Sequence, residues 1–338
     1  MKKIICLFSM FAVLVSLMLS CSGGESKNTS EANNQEAAKI RVAYLADFAG
    51  TSAAAIAQEK GFFKEENLDV ELVKFLNGPA EVAAMLSGDI QFAYIGHGAH
   101  SLAIQGKVNI LFPNGLSKSE QIIVGKWSGV NDIAGLKGKT VGTQLGTSGD
   151  IVLDIALRKV GLTKNDVNVV NMDVSGIVSA MVGKKVDAVS IWAPYTFEIA
   201  KQLGDEVVVL TSITNYLDEA VFPSSWIVTP DYQNKNQDIV NRFSMAILKA
   251  MDYRDNNMDE AVEIVAKLNG TPADSVALEK ETAIWLTSSD IKNAYTDGTA
   301  AKWYEAQQKI FINSKVVDNP VDVNNYVQIK YMMDNVLK

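Results

Sequence analysis

Cysteine and histidine are scarce in this chain of 338 residues, and their scarcity excludes several kinds of site. The only cysteines are Cys6 and Cys21, so the body of the chain can hold no disulfide, no cysteine metal centre and no thiolate nucleophile. The only histidines, His97 and His100, are not accompanied in the sequence by a cluster of further metal ligands. We therefore expect neither a bound metal nor a cofactor.

The chain also lacks basic runs and phosphate-binding motifs. Its formal net charge is −8, and an acidic body without a basic run argues against a nucleic-acid partner. Gly138-Lys139-Thr140 matches the end of a P-loop, but Ile133 stands where that motif needs its earlier glycine. No nucleophile–base pair and no pair of carboxylates at catalytic spacing stands out. We expect a protein that is not an enzyme.

The apolar run at the N-terminus is too short for a membrane-spanning helix. Lys2 and Lys3 precede apolar residues 4–19, whereas a spanning helix needs roughly 20 residues. A basic start, a short apolar core and small residues before the cleavage point are typical of a secretory signal. The sequence predicts a signal peptide over residues 1–20.

The end of that signal resembles a bacterial lipobox. Cys21 would be the lipidated residue, although Met18 occupies the position where leucine is most usual. Residues 21–38 are polar and lack apolar periodicity, which predicts a flexible tether. We expect an exported protein that is lipid-anchored to the cell membrane, on its periplasmic or outer face. A plain soluble export signal or an uncleaved anchor is the alternative.

Two stretches of the chain resemble each other at a constant offset of 96 residues. Residues 81–100 are echoed by residues 177–196, and each copy reads as a short helix, a turn, a buried strand and an abrupt loop. Strands alternating with helices predict an α/β class with parallel pairing. In such units the loops at the carboxyl ends of the strands carry the ligand groups. The echo therefore predicts two similar units that face one cleft.

The boundaries of these units follow from two apolar segments. Residues 121–126 and 225–229 bracket the second unit and are predicted to be the two hinge crossings. The mostly helical tail is expected to pack back onto the first unit. Lobe 1 would then comprise residues 39–124 with 225–338, and lobe 2 residues 125–224.

Four segments, in order along the chain, carry a resemblance to a known family. They read EKGFFKEENLDV, LSGDIQFA, LKGKTVG, and VDA followed by WAP, within a likeness that covers residues 39–337. Together they resemble the nitrate/sulfonate/taurine-type solute-binding proteins of ABC importers. The resemblance implies a two-lobed type II periplasmic-binding-protein fold, in which each lobe is a mostly parallel sheet flanked by helices. It also implies capture of a small solute and delivery to permease and ATPase subunits.

Two loops of small residues are candidate ligand-binding segments. Thr51 and Ser52 in the first lobe, and Thr147 and Ser148 in the second, place hydroxyl groups near helix N-termini. Free N–H groups and the helix dipole at such ends attract anions, and neither loop contains a basic side chain. Ordinary N-capping by Ser52 and Ser148 is the alternative interpretation.

Aromatic and polar side chains complete the candidate site. Phe48, Trp192 and Tyr195 are placed to enclose the organic part of a ligand. Asp47 would favour a ligand amine or else be a solvated carboxylate, and His97 would donate one hydrogen bond. The predicted ligand-binding residues are Asp47, Phe48, Thr51, Ser52, Asn77, His97, Thr147, Ser148, Trp192 and Tyr195.

The sequence therefore predicts a monomeric, substrate-binding lipoprotein of an ABC importer. Its ligand is expected to be a small anionic or zwitterionic organic solute, with a sulfonate or a taurine-like molecule favoured. A pyrimidine-type thiamine precursor and nitrate are the alternative ligands. A surface lipoprotein with an adhesion or signalling role is the alternative of another class. Fungal relatives that make the thiamine pyrimidine carry a cysteine-rich motif, which this body lacks.

Overall fold

The computed structural model describes residues 36–338, and residues 37–338 form one compact unit. The predicted signal peptide, the lipidation at Cys21 and most of the predicted tether lie outside the described residues. Within the described part, no helix is both long enough and apolar enough to cross a membrane.

The described chain alternates strands and helices. The strands are β1 (Ala38–Leu45), β2 (Leu68–Phe75), β3 (Phe92–Ile95), β4 (Asn109–Ser117), β5 (Gln121–Gly125), β6 (Thr140–Thr143), β7 (Asn168–Asn171), β8 (Ala188–Ile191), β9 (Val207–Ser212), β10 (Pro223–Val228) and β11 (Ala283–Trp285). The helices are α1 (Phe48–Glu59), α2 (Phe62–Glu65), α3 (Gly78–Leu86), α4 (His100–Ile104), α5 (Ser148–Lys159), α6 (Val174–Val182), α7 (Tyr195–Leu203), α8 (Pro230–Lys235), α9 (Gln237–Asn256), α10 (Met258–Asn269), α11 (Ala273–Ala277), α12 (Ser288–Thr296), α13 (Thr299–Asn313) and α14 (Ile329–Asn335).

The strands form two sheets. The six-stranded sheet has the order β11-β4-β10-β3-β1-β2, and the five-stranded sheet has the order β7-β6-β8-β5-β9. Parallel pairs join β1 to β2 and β3, and β6 to β7 and β8. β10 and β5, the strands that arrive from the other sheet, run antiparallel to both of their neighbours. The predicted α/β fold with two helix-flanked sheets is confirmed, but the prediction that each sheet is mostly parallel is wrong, because the crossing strands β5 and β10 enter their sheets antiparallel and β11 also pairs antiparallel with β4.

The chain crosses between the sheets at two connections. The first is residues 118–120, between β4 and β5, and the second is residues 213–222, between β9 and β10. The segments predicted as hinge crossings, 121–126 and 225–229, lie mainly within β5 and β10 instead. Their apolar side chains are buried between neighbouring strands, which explains the apolar signal. We refer to the two sheets with their helices as the six-stranded half and the five-stranded half.

The echo at offset 96 is a structural repeat. The first copy contains α3 and β3, and the second contains α6 and β8. β3 lies between parallel β1 and antiparallel β10, and β8 lies in the same way between β6 and β5. The matched apolar side chains are buried in both copies: Val82, Met85, Ile90 and Ile95, and Val178, Met181, Val186 and Ile191. The repeat therefore brings two equivalent strand ends to one region.

The first helix begins earlier than the sequence predicts. The expected helix started after Ser52 as its N-cap, but α1 begins at Phe48, and Asp47 is the N-cap. Gly50 indicated a loop, yet here it permits close packing. A β-carbon at Gly50 would lie 2.7 Å from the Leu45 carbonyl oxygen, so only glycine lets α1 start directly behind β1. Ser52 therefore lies inside the helix and is not its cap.

Helix α5, which opens the five-stranded half as α1 opens the six-stranded half, also begins differently from the prediction. α5 begins at Ser148, with Thr147 as the N-cap residue, and the Thr147 side chain makes no capping hydrogen bond. Its hydroxyl instead donates to the Gln144 carbonyl at 2.6 Å. The alternative reading of Ser148 as an N-cap is therefore wrong.

Candidate functional site

A pocket lies where strand ends of the two halves meet. It contains about 640 Å³ of empty space, part of which is open to solvent. Asp47, Asn77 and His97 enter it shortly after β1, β2 and β3, while Trp192 enters directly after β8. Parallel strands bring their carboxyl ends to the same edge of a sheet, which is the reason these loops converge.

Six of the predicted ligand-binding residues line this pocket. They are Asp47, Asn77, His97, Thr147, Ser148 and Trp192. The Asn77 side chain also caps α3, because its Oδ1 accepts the Ala80 N–H at 2.9 Å. Residues from both halves therefore share one lining.

Three predicted residues on α1 point away from the pocket. The ring of Phe48 is fully buried and meets the ring of Trp285 edge-on, with the centroids 5.1 Å apart. The Thr51 hydroxyl donates to the Leu45 carbonyl at 2.8 Å, and the Ser52 hydroxyl accepts from Arg254 at 2.9 Å. The early start of α1 turns all three side chains into the core of the six-stranded half.

Tyr195 also lies outside the lining. Its ring meets the Trp192 ring edge-on, with the centroids 5.9 Å apart. Tyr195 therefore supports the indole that lines the pocket, which is a positioning role that its place in the sequence did not indicate.

Sequence reasoning missed several lining residues, of which Glu120 and Glu279 matter most. Glu120 lies in the first crossing, a position that becomes visible only when the end of β4 is known. Glu279 belongs to the tail and bonds to Phe48 across 231 positions of sequence. No local pattern marks either carboxylate, because tertiary packing alone brings them to the pocket.

Asp47 is a buried carboxylate at the edge of the pocket. Burial raises the pKa of Asp47 to about 6. The hydrogen bond that its side chain accepts from the Gly50 N–H, at 2.7 Å, lowers the pKa and so limits this rise. The charge of Glu120 raises this pKa further, and the Trp192 side chain lowers it. Asp47 is therefore mostly ionised at neutral pH and titrates just below it.

Glu279 is held against the same helix end. Its Oε2 accepts the Phe48 N–H at 2.8 Å. Burial raises the pKa of Glu279 to about 8, and the charge of Asp47 adds to the rise, while the bond from Phe48 opposes it. In the ligand-free protein at neutral pH, Glu279 is therefore mainly protonated.

Glu120 and His97 form a buried pair on the pocket wall. Glu120 accepts a hydrogen bond from the Ser117 hydroxyl at 2.7 Å, and its Oε1 lies 3.7 Å from His97 Nδ1. Burial lowers the pKa of His97, although the charge of Glu120 opposes the shift, so the imidazole is neutral at neutral pH. His97 Nε2 has no hydrogen-bond partner within residues 36–338.

Carboxylates of the chain already occupy the helix ends that were predicted to attract an anion. Glu279 and Asp47 each accept an N–H group in the first turn of α1. In the five-stranded half, Asp150 lies in the first turn of α5 and accepts the Gly146 N–H at 3.2 Å. These N–H groups are therefore not open to a ligand anion, and the negative charge of Asp47 further offsets the attraction that the N-terminus of α1 has for one.

The two halves touch directly beside the pocket. A β-carbon at Gly98 would lie 2.1 Å from the carbonyl carbon of Thr147 and 2.4 Å from the nitrogen of Ser148. The backbone after β3 therefore packs on the start of α5 at a distance that only glycine allows. A second contact joins the halves where the Ser314 hydroxyl, after α13, bonds to Asp154 of α5.

Glu81 is a buried carboxyl beneath the pocket wall, in the first turn of α3. Its side chain is 0% exposed, and neither carboxyl oxygen has a hydrogen-bond partner within the described chain. Burial raises the pKa of Glu81 well above its ordinary value, and the charge of Asp47 adds to the rise. Glu81 is therefore neutral at neutral pH.

Metal ligands do not gather in the described part of the chain. No group of three or more His, Cys, Asp or Glu side chains in residues 36–338 is placed to hold a metal ion.

Several proteins of similar sequence are named as binding proteins. A protein of Brucella abortus (strain 2308), named only as a binding protein, is 34% identical over 292 residues, which are 86% of this chain and 91% of that protein. The taurine-binding periplasmic protein of Escherichia coli (strain K12) is 27% identical over 253 residues, which are 71% of this chain and 76% of that protein. The resemblance found in the sequence is confirmed.

A solved structure has the same fold. It is the alkanesulfonate-binding protein from Xanthomonas axonopodis pv. citri bound to MOPS, with a TM-score of 0.66 at 20% identity. The match covers 87% of this chain and 99% of that chain. Residues 50–261 match the family model described as NMT1/THI5 like. The chain belongs to the NMT1/THI5-like family and has the fold of the periplasmic binding proteins.

Proposed function

We propose that this protein is the solute-binding component of an ABC importer and captures a small organic molecule in the pocket between its halves. The observation that carries the proposal is the shared lining, in which Asp47 and His97 come from one half and Trp192 from the other. A pocket built by both halves binds its ligand best when the halves are together. Ligand would therefore shift the population toward the closed form, because that form has the higher affinity.

The names of the relatives favour an organosulfonate or taurine-like ligand, since one relative is named for taurine and one structural neighbour for alkanesulfonates. Trp192 supports an organic ligand over nitrate, because an indole offers apolar area that a small inorganic ion cannot use. A pyrimidine-type ring remains the alternative ligand.

We also propose that Cys21 carries the lipid anchor and that the exported protein delivers its ligand to a permease and its ATPase. The support is the signal-like sequence that precedes Cys21. Metabolic labelling with palmitate tests this part, since Cys21→Ala should abolish the label. Persistent labelling of that variant would show that the lipid is attached to a residue other than Cys21, which would contradict the lipobox interpretation.

A thermal-shift screen tests the receptor function. Purified residues 22–338 would be melted with sulfonates, taurine, nitrate, amino acids and pyrimidines. A ligand that binds only the folded state should raise the melting temperature by several degrees. No response across a broad library would contradict solute capture and favour an adhesion or signalling role.

A further inference from the structure

The pocket lining is rich in carboxyl groups and contains no lysine or arginine. Asp47, Glu120 and Glu279 all line it, with 8%, 3% and 4% of their surfaces exposed. No lysine or arginine contributes to the same lining. A ligand anion in this pocket would meet buried acidic groups without a compensating cation, and an unpaired buried charge is costly.

The lining also holds neutral side chains such as Asn77 and Ser148, which can both donate and accept, so the carboxyl groups and His97 set its preference. The carboxyl groups of Asp47 and Glu279 have used N–H groups of α1 that could otherwise bind a ligand anion. His97 is neutral, its Nδ1 faces Glu120, and its Nε2 is buried without a partner in residues 36–338. When Nδ1 carries the proton toward Glu120, Nε2 is an acceptor. Ionised Asp47 and this nitrogen both accept hydrogen bonds, and a ligand cation beside Glu279 would stabilise the ionised form of its carboxyl, so the ligand is expected to supply donors.

Trp192 provides a surface that suits the same ligand. Its indole lines the pocket and is held edge-on by Tyr195. The face of an indole is the strongest of the aromatic partners for a cation. The five-stranded half therefore complements a positively charged group, and it does so independently of the carboxylates.

We infer that the ligand of this pocket is an organic cation whose nitrogen group donates hydrogen bonds, either an organic ammonium or a protonated amino-substituted aromatic ring. This inference rests on the proposed function as a solute receptor and specifies the ligand class for the same pocket. Asp47, Glu120 and Glu279 surround the nitrogen group, and Trp192 covers it. Of the ligands that the relatives' names suggest, this lining fits the amine-bearing, taurine-like kind and disfavours alkanesulfonates without an amine, because it offers a sulfonate no lysine or arginine.

Matched probe pairs test the inference by isothermal titration of the full-length protein at neutral pH. The pairs are 2-phenylethylamine with 2-phenylethanesulfonate, benzylamine with phenylmethanesulfonate, and 4-aminopyridine with pyridine-4-sulfonate. Each pair keeps the organic part and exchanges the charge. We expect an amine probe to bind at least about 10-fold more tightly than its sulfonate partner, the effect of one charge-assisted hydrogen bond.

The possible outcomes separate the two proposals. Tighter binding of the sulfonates would overturn the inferred ligand class and leave the receptor function standing. If no probe of any pair binds and no solute in the broader thermal-shift screen binds, the result would count against both the receptor function and the inferred ligand class. Binding in the broader screen by neutral or anionic solutes alone would overturn the ligand class.

Charge-neutralising variants locate the effect. Asp47→Asn, Glu120→Gln and Glu279→Gln each keep the side-chain shape and remove a carboxylate, and each should weaken the best amine probe by about 10- to 100-fold. Glu263→Gln, on the exposed face of α10, is the matched control and should leave binding unchanged. Melting curves establish that each variant is folded. Unchanged amine affinity in all three pocket variants would overturn the inference, whereas better sulfonate binding in them would agree with repulsion by the carboxylates.

Discussion

The two copies of the internal repeat have the same architecture and different chemistry. At offset 96, the buried Glu81 of α3 falls opposite the equally buried Ile177 of α6, both 0% exposed. After the strands, Gly96, His97 and Gly98 fall opposite Trp192, Ala193 and Pro194. The second copy is apolar and aromatic, while the first is polar and carries the close backbone contact between the halves.

This difference indicates what each copy contributes. Burying isoleucine stabilises the fold, whereas burying a carboxyl without a hydrogen-bond partner costs free energy. At this position the first copy is therefore less stabilising than the second. The second copy supplies the rigid aromatic wall at Trp192.

The largest expected loss of ligand affinity comes from a change at Gly98, where the first repeat copy makes the close backbone contact with the other half. Gly98→Ala places a β-carbon against the backbone of Thr147 and should keep the halves apart. Ligand affinity should fall by at least about 100-fold, which corresponds to about 2.7 kcal/mol. The melting temperature without ligand should change little, because separation of the halves relieves the clash.

Gly135→Ala is the control for Gly98→Ala. The nearest atom to a β-carbon at Gly135 lies 3.4 Å away, an ordinary contact. Calorimetry of both variants with the same ligand makes the comparison. Full affinity in Gly98→Ala would show that the contact with α5 is not needed for binding.

The second effect tests the aromatic wall. Trp192→Ala replaces the indole with a small side chain, closer in size to Gly96 at the matching position of the first copy. Ligand binding should weaken by about 10- to 100-fold, because apolar and cation–π contacts are lost. Trp127→Ala is the control, because Trp127 packs on the same hydrophobic cluster and its N–H bonds to the Val186 carbonyl at 3.2 Å, outside the pocket lining. Equal losses in both variants would mean that Trp192 acts through packing alone.

The smallest effect concerns the stability of the first copy. Glu81→Ile installs the residue of the second copy and should raise the free energy of unfolding by about 1–3 kcal/mol. The pKa of Glu81 is raised in the folded state, so the folded protein binds more protons and the wild type loses stability as pH rises above the unfolded-state pKa. The gain from Glu81→Ile should therefore be larger at pH 8 than at pH 5.

Urea unfolding at the two pH values measures this gain, with Glu263→Gln as an exposed control that should change stability by less than about 0.5 kcal/mol. A loss of stability in Glu81→Ile at both pH values would show that the carboxyl has a stabilising partner.

The sequence predicted the parts of the site that depend on local pattern. The apolar period around Ile95 and Ile191 located both strand ends, and with them His97 and Trp192 in the pocket. The loop and turn that follow the first two strands contributed Asp47 and Asn77. The prediction failed at α1, because Gly50 looks like a loop residue until the close approach to Leu45 is known. Glu279 could not be predicted at all, since only the packing of the tail places it beside Phe48.

The most direct test of the account is the pH dependence of the affinity for a permanently protonated amine probe. Asp47, with a pKa of about 6, and Glu279, with a pKa of about 8, line the same pocket, and the charge of Asp47 raises the pKa of Glu279. The other titratable groups near them are Glu120, neutral His97 and buried Glu81. An amine such as 2-phenylethylamine, with a pKa near that of lysine at about 10, stays charged throughout this range. Isothermal titration from about pH 5.5 to about pH 8.5 should show affinity rising as the two carboxyls ionise. An affinity that stays constant or falls over that range would contradict recognition by the carboxylates of the pocket.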